Sequence, residues 1–350
     1  MSVPLPASGP PVESEVPPLV SWHGLRREFL LYLPIWFIYF EAVGLLHAAL
    51  ANFPQEGFTA VGIPRWQFAP PILFPLAWIV PYFVLRIRSS ARLQTPWKAY
   101  LALFFLTVVV PLATALFYHP HPLSYEQLTV LFEVSQFVWV ALLVAHIVLS
   151  RGWWAVVMFF GVTFVYGLIL ENTGIIMHYF YEPRFHLYLG PLPAPLATML
   201  GWCVVFYVTV AVTQHLVGWI PWLGKTIWRR AWTATLLALC LDAQLDPLAS
   251  ISGVFWRWNE QLPPFFLGVP IVNWAAWFGA FLPYTYFVFK ILDRESWDMR
   301  RKNWELFLRV PLAAFLAGVL WLGVMTLFEG GTAGPTWDIL RAFGDRLLPY

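Results

Sequence analysis

Nine stretches of this chain are apolar over a length that can cross a hydrocarbon core of about 30 Å. They lie near residues 29–51, 69–87, 99–118, 128–149, 153–171, 196–218, 229–248, 268–291 and 305–328. No other feature limits the fold as far. In lipid every backbone N–H and C=O must be paired within the structure, and runs of this length satisfy that as helices. The expected fold class is therefore all-α, a polytopic transmembrane helical bundle of about nine spans. Pro34, Pro75, Pro81 and Pro283 fall inside the runs and predict kinks, tolerated where neighbouring helices or water satisfy the freed carbonyls. Composition agrees, with 59% of residues hydrophobic and 11% charged, a balance foreign to soluble globular domains.

Short cytoplasmic loops collect Lys and Arg, so the charges test the parse. One set of alternate connections holds Arg26, Arg27, Arg86, Arg88, Arg92, Lys98, Arg151, Lys225, Arg229, Arg230, Lys290, Arg294, Arg300, Arg301, Lys302 and Arg309; the other holds Arg65, Arg184, Arg257, Arg341 and Arg346. Sixteen against five predicts an N-terminus inside and a C-terminus outside. Residues 1–22 are rich in Pro and read as a disordered tail rather than a signal peptide, since no Lys or Arg stands among the first 20. Residues 23–350 then form a single transmembrane helical domain, an integral multi-pass protein expected in a bacterial inner membrane. A net charge of +2 without a basic cluster excludes a nucleic-acid partner. Cys203 and Cys240 both sit in apolar runs and behave as small hydrophobes. Aromatic residues make up 19% of the chain, more than interface belts use, which favours a large apolar or π-rich ligand.

Ionisable residues inside spans are costly and mark function or interhelical pairing. The fifth run ends in Glu171-Asn172-Thr173-Gly174, where Gly174 allows a turn or a close approach of another segment. The seventh ends in Asp242-Ala243-Gln244-Leu245-Asp246-Pro247. A spacing of four puts both carboxylates on one helix face, about 6 Å apart at Cβ, where two acids can hold different protonation states. The bland alternatives are a helix end meeting water at Asp246 and a partnership of Asp242 with Arg257 or Arg184. Asn273, just inside the eighth run, needs partners for its amide. The connections after runs five and seven fall on the same charge-poor side, so Glu171, Asp242, Asp246 and Asn273 can share one pocket, with His119 and His121 on that side as well. The eight histidines form none of the i, i+3 or i, i+4 pairs common in helical metal sites, so neither a metal nor another cofactor is expected. Glu41, His47, Glu133, Gln136 and His146 read as interhelical hydrogen-bond partners.

The segment from Glu171 through Thr173-Gly174 and His178-Tyr179-Phe180-Tyr181 to Gly190-Pro191-Leu192 and Gly201-Trp202 is the first half of a pattern. It continues with Asp242, Asp246-Pro247, the run Gly253 to Trp258, and Gly268, Pro270, Asn273 and Trp277. Over roughly residues 160 to 285 this resembles the CruF-type carotenoid biosynthesis proteins, membrane hydratases. The resemblance implies addition of water to the terminal double bond of an acyclic ψ-end carotenoid of the lycopene or γ-carotene type, giving a tertiary alcohol without redox change. Residue chemistry fits: a neutral carboxylic acid to protonate the alkene, aromatic faces to hold the cation, and a base to activate water. Asp242 is the expected acid and Asp246 or Glu171 its water-activating partner. Asn273, Trp256, Trp258, Tyr179, Trp277 and Asn172 are the expected substrate contacts. The partners are thus a hydrophobic carotenoid and the lipid bilayer, with no protein partner assigned. Two other readings compete. A non-catalytic pigment-binding or structural subunit of a membrane complex would need the rings but not the acids. A membrane prenyltransferase would use Asp-x-x-x-Asp with Mg²⁺, but needs a second Asp-rich motif that the chain lacks.

Overall fold

In the computed structural model, residues 22–52, 69–89, 97–118, 123–182, 184–250, 255–266 and 268–347 are described. The expectations for the tail up to residue 21 and for Arg65, Arg92, His119, His121 and Gly253 lie outside them. All nine apolar runs fold as long helices: α1 (Trp22–Asn52), α2 (Ala69–Ser89), α3 (Trp97–Phe117), α4 (Tyr125–Arg151), α5 (Trp153–Ile176), α6 (Leu196–Trp219), α7 (Ile227–Ser250), α8 (Ile271–Leu292), then a short α9 (Met299–Phe307), α10 (Val310–Phe328) and α11 (Pro335–Leu347). The chain is an all-α polytopic bundle. Seven of these helices, all the long ones but α2 and α7, are long and apolar enough to cross a membrane. α7 carries Arg229, Arg230, Asp242 and Asp246, and α2 ends on Arg86 and Arg88. The ninth run starts later than expected: Arg309 and Pro311 begin a new helix there, and residues 305–307 belong to α9.

Local chemistry accounts for the boundaries. Ser124 and Gln127 cap α4 reciprocally, Gln127 N–H donating to Ser124 Oγ at 3.2 Å and Ser124 N–H to Gln127 Oε1 at 2.9 Å. Gly152, at φ 83°, separates α4 from α5. The prolines Pro34, Pro75, Pro81 and Pro283 lie inside continuous helices. α3 and α5 each contain a π-helical stretch, Phe105–Val109 and Val157–Val162; in α3 it ends two residues before Pro111, which has no N–H to give.

α7 is embedded among α8, α6, α2 and α1, while α10 packs on α8 and α5. Stacked rings fill the centre: Phe206 and Phe281 lie 4.0 Å apart between centroids, and Tyr166 and Tyr284 4.3 Å. At Gly279 a Cβ would stand 2.6 Å from the Ala317 carbonyl oxygen, so α8 and α10 meet there backbone to backbone.

Two small antiparallel ribbons gather one end of the bundle. β1 (Phe180–Tyr181), after α5, pairs with β2 (Arg257–Trp258), after α7, and β3 (Pro264–Phe266) pairs with β4 (Val269–Pro270) ahead of α8. The Tyr179 hydroxyl donates to the Thr336 carbonyl at 2.9 Å, bringing the start of α11 to the same end. At the other end Arg230 pairs with Asp293, and Asn303 donates to the Trp154 carbonyl at 3.0 Å. The connections after α5 and α7 therefore do share one end, and the basic segments around Arg151, Arg230 and Lys302 gather at the opposite one.

Candidate active site

Asp242 and Asp246 stand one turn apart on the buried face of α7, which runs on through Pro247 to Ser250 instead of stopping at Asp246. Asn273, in the first turn of α8, lies across from them. Its Nδ2 donates to Asp242 Oδ1 and Oδ2 at 3.0 and 2.9 Å and to Asp246 Oδ2 at 2.7 Å. One amide thus ties two carboxyl groups, which also hydrogen-bond each other. Asp242 meets the demand for a partner through Asn273; Arg184, by contrast, sits over the Tyr125 ring, its guanidinium carbon 4.2 Å from the centroid.

Glu171, near the end of α5, accepts from the Trp202 indole N–H of α6 at 2.5 Å. The chain then turns sharply, with His178 at φ 62°, a left-handed conformation that non-glycine residues seldom adopt. Gly174 makes the turn possible: a Cβ there would stand 2.4 Å from the Phe180 ring. The returning loop carries Glu182 into the bundle, where it is buried and hydrogen-bonded to Glu171, with Thr198 Oγ1 donating to Glu182 Oε2 at 3.2 Å. Burial first, and the Glu171 carboxylate second, hold the Glu182 carboxyl well above the usual carboxylate range. Glu133 of α4 pins the loop by accepting from the backbone N–H groups of His186 and Leu187 at 2.9 and 3.1 Å.

Asp246, Asn273, Glu171 and Glu182 all line one cavity of about 280 Å³. Its remaining surface is mostly apolar and aromatic, including Tyr179, Trp202, Trp256, Trp258 and Trp277. Trp277 stacks on Phe281 at 5.4 Å and lies 5.1 Å from Trp202 between centroids, forming a ring wall beside the carboxyl groups. A space near 300 Å³ is at the lower limit for enclosing a drug-sized ligand, with room for the end of a long molecule but not for its whole length.

Two expected site residues stand elsewhere. Asp242 is fully buried and does not line the cavity; it backs Asn273 and Asp246. Asn172 does not line it either: its amide donates to the Leu168 carbonyl at 2.8 Å and accepts from the Ala194 N–H at 3.1 Å, holding the loop ahead of α6. Sequence reasoning did not single out Glu182 or Trp202 as functional. Glu182 reads as a loop residue before Pro183, and only its place at the end of an aromatic run could have drawn notice. Glu41 and Gln136 are paired between helices as expected, Gln136 Nε2 donating to Glu41 Oε1 at 2.8 Å, and both line the cavity. Glu133 and His146 also join helices or loops, His146 Nδ1 lying 2.6 Å from the Tyr207 hydroxyl. Among the described residues no group of three or more His, Cys, Asp or Glu is arranged to hold a metal ion.

The model of a family described as carotenoid biosynthesis protein matches residues 128–337, which contain every site residue above except those contributed by α1. No curated protein and no solved structure gives a match.

Proposed function

The chain belongs to the carotenoid biosynthesis protein family, and from that premise we propose that it hydrates the terminal double bond of an acyclic ψ-end carotenoid to a tertiary alcohol, working within a membrane that it spans nine times. The observation that carries this reading is the meeting of Asp246, Glu171, Glu182 and Asn273 in a ring-lined cavity between apolar helices. Pigment binding alone would use the rings and leave the buried acids Asp242, Asp246, Glu171 and Glu182 without purpose, each costly in such surroundings.

Two carboxyl groups in contact share a proton, and this fold holds two such pairs, Asp242–Asp246 and Glu171–Glu182. Asp246 is the cavity-facing member of the first and delivers its proton to the less substituted alkene carbon. Asp242 behind it and Asn273 beside it at the cavity wall act as positioning residues, which moves the acid role from Asp242 to its neighbour. The tertiary cation that results lies against indole faces, whose quadrupole attracts positive charge. Water adds to the cation, and a carboxylate facing the cavity takes the proton that water sheds. No redox change accompanies these steps.

Expression in a host that makes lycopene tests the reading. The expected product is a carotenoid heavier by one water and bearing a tertiary alcohol, absent when Asp246→Asn or Glu171→Gln replaces the wild type at equal membrane abundance. An unchanged pigment profile with the wild-type chain, or full hydration by Asp246→Asn, overturns it.

A further inference from the structure

On its α1 and α4 side the cavity wall is built from Phe37, Glu41 and Leu45, spaced by four along α1, and from Phe132 and Gln136, spaced by four along α4. The Glu41–Gln136 pair interrupts this otherwise apolar wall. Polar pairs between helices are ordinary in membrane bundles, and what singles this one out is whether its residues face the cavity. Both of its residues do, each more than nine-tenths buried.

The partners of Glu41 set it apart from the other cavity acids. Its Oε1 accepts from the Gln136 amide, whose Nε2 donates at 2.8 Å. Asp246 and Glu171, by contrast, each lie against a second carboxyl group, Asp242 and Glu182 respectively. Glu41 thus stands in the cavity wall apart from the two acid pairs, held by an amide rather than by another carboxyl group. Gln136 also lies close to the acid station: its Oε1 is 3.8 Å from where a Cβ on Gly201 would stand, next to the Trp202 that holds Glu171.

We propose that Glu41 is the water-activating base of the site and that Gln136 orients it and the water. Given the hydration reading on which this rests, the cavity divides sensibly. Its α5, α8 and α10 side includes Ala276, Ala280, Ala314 and Gly318, which leave room for a slender polyene. The chain enters there and ends at the carboxyl cluster, so the fully substituted terminal carbon points toward α1 and α4. The proton from Asp246 forms the new C–H bond at the inner alkene carbon. Water held at Glu41 forms the C–O bond at the terminal carbon, and its released proton goes to Glu41, then back to the cluster through cavity water. One water is consumed, no electrons are exchanged, and both residues regain their starting states.

The test is turnover of lycopene by the purified full-length protein in detergent made with D₂O, reading both alcohol formation and deuterium uptake into recovered carotenoid. A cation that water does not capture can lose the other hydrogen of the inner carbon or one from a neighbouring methyl group, which leaves deuterium in the carotenoid, so the two readouts separate the acid step from the water step. Glu41→Gln is expected to lower alcohol formation about 100-fold or more while deuterium still enters, and Gln136→Met to do the same more mildly. Asp246→Asn is expected to lose both. If Glu41→Gln folds poorly, Gln136→Met, near in volume, carries the test by the same two readouts. Wild-type alcohol formation in both variants, or parallel loss of alcohol and deuterium in the one that folds, overturns the role of Glu41. A wild-type protein that forms no alcohol at all overturns the hydration reading itself.

Discussion

Asp242 and Asp246 differ by one helical turn, and that turn separates a residue that touches the cavity from one that does not. Hydration rates of purified variants should reflect this: Asp246→Asn is expected to abolish turnover, whereas Asp242→Asn, which keeps a hydrogen-bonding partner for Asn273, is expected to retain a measurable fraction. Equal loss in both would make Asp242 a direct participant. Glu182 gives a second prediction at this scale. Its folded-state carboxyl holds a proton well above the usual range, so the folded chain keeps a proton that the unfolded chain releases. The stability tied to it is fully present below the ordinary carboxylate value and is lost as pH rises through the folded one, at up to about 1.4 kcal/mol per pH unit. The unfolding temperature in detergent should fall from mildly acidic to alkaline pH, and Glu182→Gln should flatten that slope. An unchanged slope means that Glu182 is not the protonated group.

Among the elements, α7 and α8 carry the acid pair and the amide that joins it, and α8 is held against α10 where Gly279 faces the Ala317 carbonyl. A backbone oxygen cannot move aside as a side chain can. Gly279→Ala is therefore expected to push α8 and α10 apart and cost about 1–3 kcal/mol, read as a lowered unfolding temperature, with wild-type stability refuting the close approach. The loop between α5 and α6 is the other decisive element. Gly174 was legible beforehand as a site of close approach, and the Phe180 ring occupies that space. The return of Glu182 into the bundle was not legible, because it depends on Glu133 holding the loop from 53 and 54 residues away. Hydropathy also gave the helices more reliably than their limits: α10 starts at Val310, where Arg309 and Pro311 act as punctuation that an apolar average smooths over.

For the molecule as a whole, the paired ribbons and the Tyr179–Thr336 bond bring the connections after α5 and α7 and the start of α11 to one end, and the charge asymmetry predicts that this end faces outside. In cells carrying single exposed cysteines, Glu260→Cys is expected to react with an impermeant maleimide from outside and Lys225→Cys only after permeabilisation; the reverse pattern inverts the orientation. The sequence by itself determined that this is a membrane-embedded helical bundle, where its long helices run, and that Asp246, Asn273 and Glu171 are polar groups able to share one pocket. Those properties are local, since backbone pairing within a helix and the rarity of charge in lipid act over a few residues. Only the tertiary structure decided which acids meet: Asp242 behind the cavity, Glu182 against Glu171, and Glu41 beside Gln136 across 95 residues of chain. Such partnerships depend on which helix faces pack together, and helical periodicity alone carries no record of that choice.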